Sequence, residues 1–146
     1  STAAPRIDSE QPCKATCLTP IEAVTMASQV APKGGVAGRF AIFVKAAGEQ
    51  RGRFFLNSEE DYRDRNCLTV AMSAETAAKV AGTADIASVR KRFVGKWLVL
   101  DGVAHRELIR FTLDGKQTDK YYYQVHVRLM DARQIKDPAG ERAGAF

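Results

Sequence analysis

From Val36 onward, apolar side chains recur at every second residue, and a chain patterned this way must build a β-sheet with one buried face. In "VAGRFAIFVK", Val36, Phe40, Ile42 and Val44 share one side while Arg39, Phe43 and Lys45 share the other. The stretch "AAGEQRG" reads as a turn, and "RFFLN" continues with Phe54 and Leu56 set against Arg53 and Phe55. After the charged loop "SEEDYRDRN", the run "CLTVAM" opposes Leu68, Val70 and Met72 to Cys67, Thr69 and Ala71. These are three expected strands, the first two joined as a hairpin. Two further extended runs span 96–112 and 120–130, and Asp114-Gly115 between them is a reversal signal.

Helical signals fill the remaining stretches. Over 19–31, Thr19 can cap, Pro20 suits the first turn, and Glu22 lies three residues after the cap as in a capping box. "PKGG" at 32–35 stops that helix and acts as a hinge. The alanine-rich segment 73–95 opens with Ser73 as a cap, is interrupted at Gly82 and ends at Gly95.

The order strand, strand, strand, helix, strand, strand resembles the OB-fold, a five-stranded Greek-key barrel with a helix between strands three and four. The expected fold is therefore mainly β within the α+β class, with an additional N-terminal helix. The resemblance covers roughly 36–135 and rests on element order, with Gly102 in "LDGV" placed where a long strand would bend around a small barrel. An open sheet with helices packed on one face is the competing topology. The domain is expected over 19–135, preceded by an irregular arm at 1–18 and followed by a flexible tail at 136–146.

The net charge of +5 is carried by the strand-forming part. Residues 1–35 balance three basic against three acidic side chains, and 36–146 hold 19 basic against 14 acidic. Such a body favours an acidic partner: an acidic protein surface, an anionic glycan or a nucleic acid. No apolar run reaches the roughly 20 residues that a transmembrane helix needs. Ser1 and the small-residue stretch after it look like a mature terminus left by signal-peptide removal, or a trimmed chain. Cys13 and Cys17 lie close enough in "CKATC" for a disulfide in an oxidising compartment, while Cys67 reads as a small buried thiol. Periplasmic or secreted localisation is the expectation, with the cytoplasm as the alternative.

The densest mixture of aromatic and basic residues is "KYYYQVHV" at 120–127. Threading the last hairpin so that facing residue numbers sum to about 232 turns Tyr121 and Tyr123 toward the core. Tyr122 then lies outward with Arg106, Arg110, Gln124, His126 and Arg128, a face able to stack a planar group and hold phosphate or carboxylate. A solvated outer face, with arginine stems covering aromatic carbon, is the competing reading. The first hairpin offers a second surface in Arg39, Phe43, Arg53 and Phe55. The OB resemblance implies that the middle strands bind ligand, which points to this surface, unless the N-terminal helix covers it through Ile21, Val24 and Met26.

Catalytic and metal signals are weak by comparison. Glu59, Glu60, Asp61 and Asp64 cluster in the loop at 57–66 without calcium-loop spacing, and Arg63 and Arg65 oppose a cation. His105 and His126 fall on opposite faces in the threaded hairpin, and no P-loop, zinc-protease or nucleophile-elbow motif is present. The function these residues point to is a non-enzymatic binding module without metal or cofactor, taking an acidic or planar ligand, a protein partner or a glycan. Single-stranded DNA or RNA binding is the alternative, with Phe43, Phe55 and Tyr122 stacking bases, and a hydrolase using His126 or the acidic loop is the second. The sequence leaves the oligomeric state open. Intact mass before and after alkylation under native conditions tests the cysteine reading: Cys13 and Cys17 should stay unmodified until a reductant is added.

Overall fold

The computed structural model describes residues 12–13 and 16–136. Helix α1, Pro20–Val30, starts on the capping box: the Thr19 hydroxyl accepts from the Glu22 backbone at 3.1 Å, and the Glu22 carboxylate accepts from the Thr19 backbone at 2.9 Å. Strands β1 (Val36–Phe43), β2 (Ala46–Gln50), β3 (Arg53–Asn57) and β4 (Leu68–Ser73) follow. The alanine-rich segment forms two helices rather than one, α2 (Ala74–Ala81) and α3 (Ile86–Phe93). Gly82 ends α2 at φ 92°, a backbone that glycine adopts without penalty, and the Asp85 carboxylate caps α3. The chain then runs through β5 (Trp97–Leu113), β6 (Lys116–Arg128), a 3-10 turn at Ala132–Gln134 and β7 (Ile135–Lys136).

The expected five-stranded closed barrel is not what these strands build. They form a seven-stranded mixed sheet in the order β1-β5-β6-β4-β3-β2, with β7 added against β5. The difference begins at the first expected hairpin: Val36–Phe43 pairs with β5 and not with β3, whose partner is Ala46–Gln50. Residues expected to form a turn, Ala46–Gln50, are thus strand, and the reversal narrows to Arg51 and Gly52 at φ 55° and 77°. Positive φ at both central residues is the two-residue hairpin geometry that matches strand twist. Strands β1 and β2 end the ladder path and are not paired to each other, so the sheet stays open. Its one parallel ladder, β4 with β6, is bridged in sequence by α2, α3 and β5.

All three helices bury against one face of this sheet. Ala23 and Ala27 of α1, Ala77 of α2, and Val89 and Phe93 of α3 join Phe40, Ile42, Phe54, Leu56, Val70, Leu100 and Val127 in a single core. On the opposite face, Cys17 packs with Ala41 and Val99, flanked by Cys13 and Trp97, and Cys13 and Cys17 are disulfide-bonded in the structure. Leu18 continues from there as a parallel bridge to Phe40. Most of the arm at 1–18 and all of the tail after Lys136 lie outside the described residues, while Lys136, expected as the first tail residue, joins Ile135 in β7.

Gly102 marks the place where β5 exchanges neighbours. β1 follows β5 up to Ala104, and β7 pairs with it at Val99 and Leu100, whereas β6 takes over from Ala104. A Cβ at residue 102 would sit 2.7 Å from Cγ1 of Val127, a stiff side chain that is fully buried. Gly102→Ala should therefore lower unfolding stability by about 1–3 kcal/mol, as overpacked core sites do, in urea denaturation. Gly48→Ala, where a Cβ meets nothing within 4 Å, serves as the control with a much smaller change.

Candidate functional site

The placement of every side chain on the last hairpin follows from its turn. Asp114 and Gly115, at φ 52° and 80°, form a two-residue reversal that pairs Leu113 with Lys116. The ladder shifts between Arg110 and Thr112, and from Arg110↔Tyr121 inward it runs Ile109↔Tyr122, Glu107↔Gln124 and His105↔His126. This is one residue out of step with the expected register, and a one-residue slip moves one strand's side chains to the other face. Tyr122, Gln124, His126 and Arg128 accordingly share their side with His105, Glu107 and Ile109. Arg106 and Arg110 lie instead with Tyr121 and Tyr123, and the Arg106 guanidinium stacks 3.8 Å from the centre of the Tyr123 ring. His105 and His126, expected on opposite faces, are cross-strand neighbours. The tyrosines expected in the core are 51% and 42% exposed, because the hairpin runs on beyond the helices.

The parallel ladder then joins two surfaces that looked separate in the sequence. Strand β4 sets Thr69 beside His126 and Ala71 beside Arg128, and β3 sets Asn57 beside Thr69 and Phe55 beside Ala71. Arg53 and Phe55 therefore belong with Tyr122, Gln124, His126 and Arg128 on one continuous face. Arg39 and Phe43 do not join them. On the β1–β5 ladder, Arg39 makes a two-pronged ion pair with Asp101 at 2.7 and 3.1 Å, and Phe43 packs edge-on against Trp97. Helix α1 lies on the other face and leaves Phe55 uncovered, with its own Ile21 and Met26 exposed.

An open groove of about 520 Å³ runs along the shared face. Its floor carries Asn57, Thr69 and Gln124, with Gly48 on the β2 side. Four aromatic rings stand around it: Phe55 from β3, Tyr62 from the loop after β3, Phe111 from β5 and Tyr122 from β6. Tyr122 is the hub, with Phe111 at 5.1 Å and Tyr62 at 6.5 Å between ring centres, and Phe55 lies 6.1 Å from the His126 ring. Asn57 and Thr69 are nearly fully buried and satisfy each other, the threonine hydroxyl donating to the asparagine carbonyl at 2.8 Å.

A chain of hydrogen bonds lies along the β6 side. His126 Nε2 is 2.6 Å from Gln124 Oε1, the Gln124 amide donates to the Tyr122 hydroxyl at 3.1 Å, and that hydroxyl also bonds Tyr62. Since Gln124 Oε1 can only accept, the bond places a proton on His126 Nε2. Burial holds the His126 pKa below its usual value, with Glu107 opposing that shift and Arg53 and Arg128 adding to it. Burial likewise raises the Tyr122 phenol, helped by Tyr62, so the ring stays neutral in the groove.

The acidic loop offers no comparable centre. Asp61 accepts from the backbone and side chain of Arg63, which lowers its pKa, and Asp64 accepts from the Asn66 backbone. Among the described residues no group of three or more metal-ligating side chains converges. Sequence reasoning missed Tyr62, Phe111, Asn57 and Thr69 as site residues. Tyr62 was hidden in a loop that reads as charge alone, and Asn57 and Thr69 meet Gln124 only through the β4–β6 ladder, whose partners lie 57 residues apart in the chain. No helix among the described residues is long and apolar enough to cross a membrane. No family model matches the chain, and no curated protein is similar to it.

The His126 shift has a definite sign in stability. The folded protein holds His126 below the ordinary value of 6.5, so the unfolded chain binds the proton more readily. Its contribution is present in full above pH about 6.5 and is lost as the pH falls through the lower folded value. Urea midpoints measured from pH 7.5 down to 5 should therefore fall with acidity, and His126→Gln should flatten that slope. An equal slope in the variant would assign the acid sensitivity to other groups.

Proposed function

We propose that this chain is a non-enzymatic binding module whose groove takes a glycan, stacking sugar rings on Phe55 and Tyr122. The observation that carries this reading is the combination in one groove: four aromatic rings around a floor of neutral hydrogen-bonding side chains. Sugar rings offer an apolar C–H face to an aromatic ring, and their hydroxyls need both donors and acceptors. Gln124, Asn57 and the tyrosine hydroxyls supply both. The groove volume also falls in the range of small-ligand sites, and its open shape admits a chain that continues past either end. Export to the periplasm or beyond belongs to the same reading, because a Cys13–Cys17 bond persists in an oxidising compartment.

A single-stranded nucleic acid is the second reading, favoured by the aromatic rings of the groove and by the net charge of +5. The two differ in salt dependence, since phosphate binding releases counterions and weakens steeply as salt rises. Titration of neutral and uronic-acid oligosaccharides and of a labelled single-stranded oligonucleotide, each at two salt concentrations, separates them. Saturable oligosaccharide binding that persists at higher salt is expected, with a loss of about tenfold in Phe55→Ala or Tyr122→Ala from the missing stacking energy. Oligonucleotide binding with a steep salt slope, lost in the same variants, would replace the glycan reading. Binding that neither variant changes would remove the groove from either function.

A further inference from the structure

Past Phe55, adjoining the residues that line the groove, the same sheet face changes character. Four side chains stand around the methyl of Ala71: Arg53 and Phe55 from β3, and His126 and Arg128 from β6. Phe55 and Arg128 are both paired with Ala71 across the ladders, and Arg53 and His126 lie diagonally from it on opposite sides, Arg53 level with Ser73 and His126 level with Thr69. Strands two apart are separated by about 9–10 Å, which two arginine side chains span easily toward a group held between them. A larger residue than alanine at 71 would fill that space.

We propose that Arg53, His126 and Arg128 form an anion subsite at this end of the groove, and that it takes a carboxylate carried by the glycan. The inference rests on the glycan reading for its ligand but on different residues for its chemistry. Several other arginines of the structure already have partners. Arg39 is paired with Asp101, Arg63 with Asp61 and Arg133 with Asp131, while Arg92 and Arg106 lie over aromatic rings. The side chains of Arg53 and Arg128 make no ion pair or hydrogen bond among the described residues, although the Arg128 backbone carbonyl accepts from Gln134 Nε2. Both are exposed, and their heads are available to a ligand.

The charges around His126 come from β3, β5 and its own strand. Arg53 on β3 and Arg128 on β6 act on it as cations, and Glu107 on β5 acts as the opposing carboxylate. Strand β4 contributes only Thr69 and Ala71 at this level. His105, the cross-strand partner of His126, has its ring against Gly35, where a Cβ would lie 2.5 Å from it, and so leans toward β1. Two arginines against one carboxylate leave an excess of positive charge beside Phe55. Arginine forks bind carboxylate with two parallel hydrogen bonds, and a neighbouring aromatic ring suits the sugar that bears it. The neutral floor beyond offers no row of cations to follow a phosphodiester chain, which favours one isolated charge over a polyanion.

The test uses sodium glucuronate and sodium sulfate as probes, with the His126 ring followed by NMR in the intact chain. Glucuronate should shift the His126 signals saturably and raise the pH at which the ring titrates, because a bound anion favours the imidazolium. In the double variant Arg53→Gln, Arg128→Gln the affinity for glucuronate should fall about tenfold or more. Glucose, the uncharged comparison, should bind that variant as it binds the native chain. Response to sulfate without glucuronate would overturn the carboxylate assignment, and no response of His126 to either anion would overturn the subsite. Loss of glucose and glucuronate binding together in Tyr122→Ala, with the sulfate response intact, would report on the groove alone. Failure of every sugar while sulfate still moves His126 only in the native chain would remove the glycan reading and the carboxylate assignment with it, leaving an inorganic-anion site.

Discussion

One strand holds this architecture together. Strand β5 runs for 17 residues and pairs with β1 and β7 in its first half and with β6 in its second. Gly102 permits the exchange, since the chain there presses against the buried Val127 with no room for a side chain. Removing this handover would separate β1 from the rest of the sheet and expose Phe40 and Ile42, whose burial helps to anchor α1. The first half of β5 thus belongs to the core, and the second half carries the aromatic hairpin that borders the groove.

The groove depends on the parallel ladder for a different reason. The antiparallel pairs β2–β3 and β5–β6 are hairpins, but β4 and β6 meet only because a helical crossover and the whole of β5 intervene. Through that ladder Thr69 lies beside His126 and Ala71 beside Arg128, and the aromatic residue of β3 reaches those of β6. The site is therefore a product of register. Its neutral floor and its cationic end lie on one face because side chains alternate with a period of two along every strand. The helices take the other face, and among the described residues this one is covered only near Cys17 and Trp97.

Local rules were legible in the residues. Thr19 and Glu22 encode the start of α1, Asp114-Gly115 encodes the reversal between β5 and β6, and Gly82 marks the break between α2 and α3. Alternation separated Leu68, Val70 and Met72 from Cys67, Thr69 and Ala71, and that division between core and outer face stands in the folded sheet. The barrel expectation went astray where a strand changes partner. "AAGEQ" carries a glycine and two charged or amide residues, the composition of a turn, and becomes strand because β3 offers it a ladder. The hairpin register went astray for a similar reason. A two-residue reversal followed by an irregularity at Phe111 displaces the facing residues by one, which exchanges Arg106 and Arg110 for Glu107 and Ile109 on the groove side.

The sequence by itself determined which residues alternate, where helices begin and end, and that Tyr122 differs in direction from the two tyrosines beside it. Each of these depends on neighbours within a few positions, through dihedral preferences, caps and the strand period. Tertiary structure alone decided that Tyr62, Phe111, Tyr122 and Phe55 surround one groove, and that Arg53 reaches the same end as Arg128. Those associations depend on ladder partners and register between distant strands, and no local preference encodes the partner a strand will find.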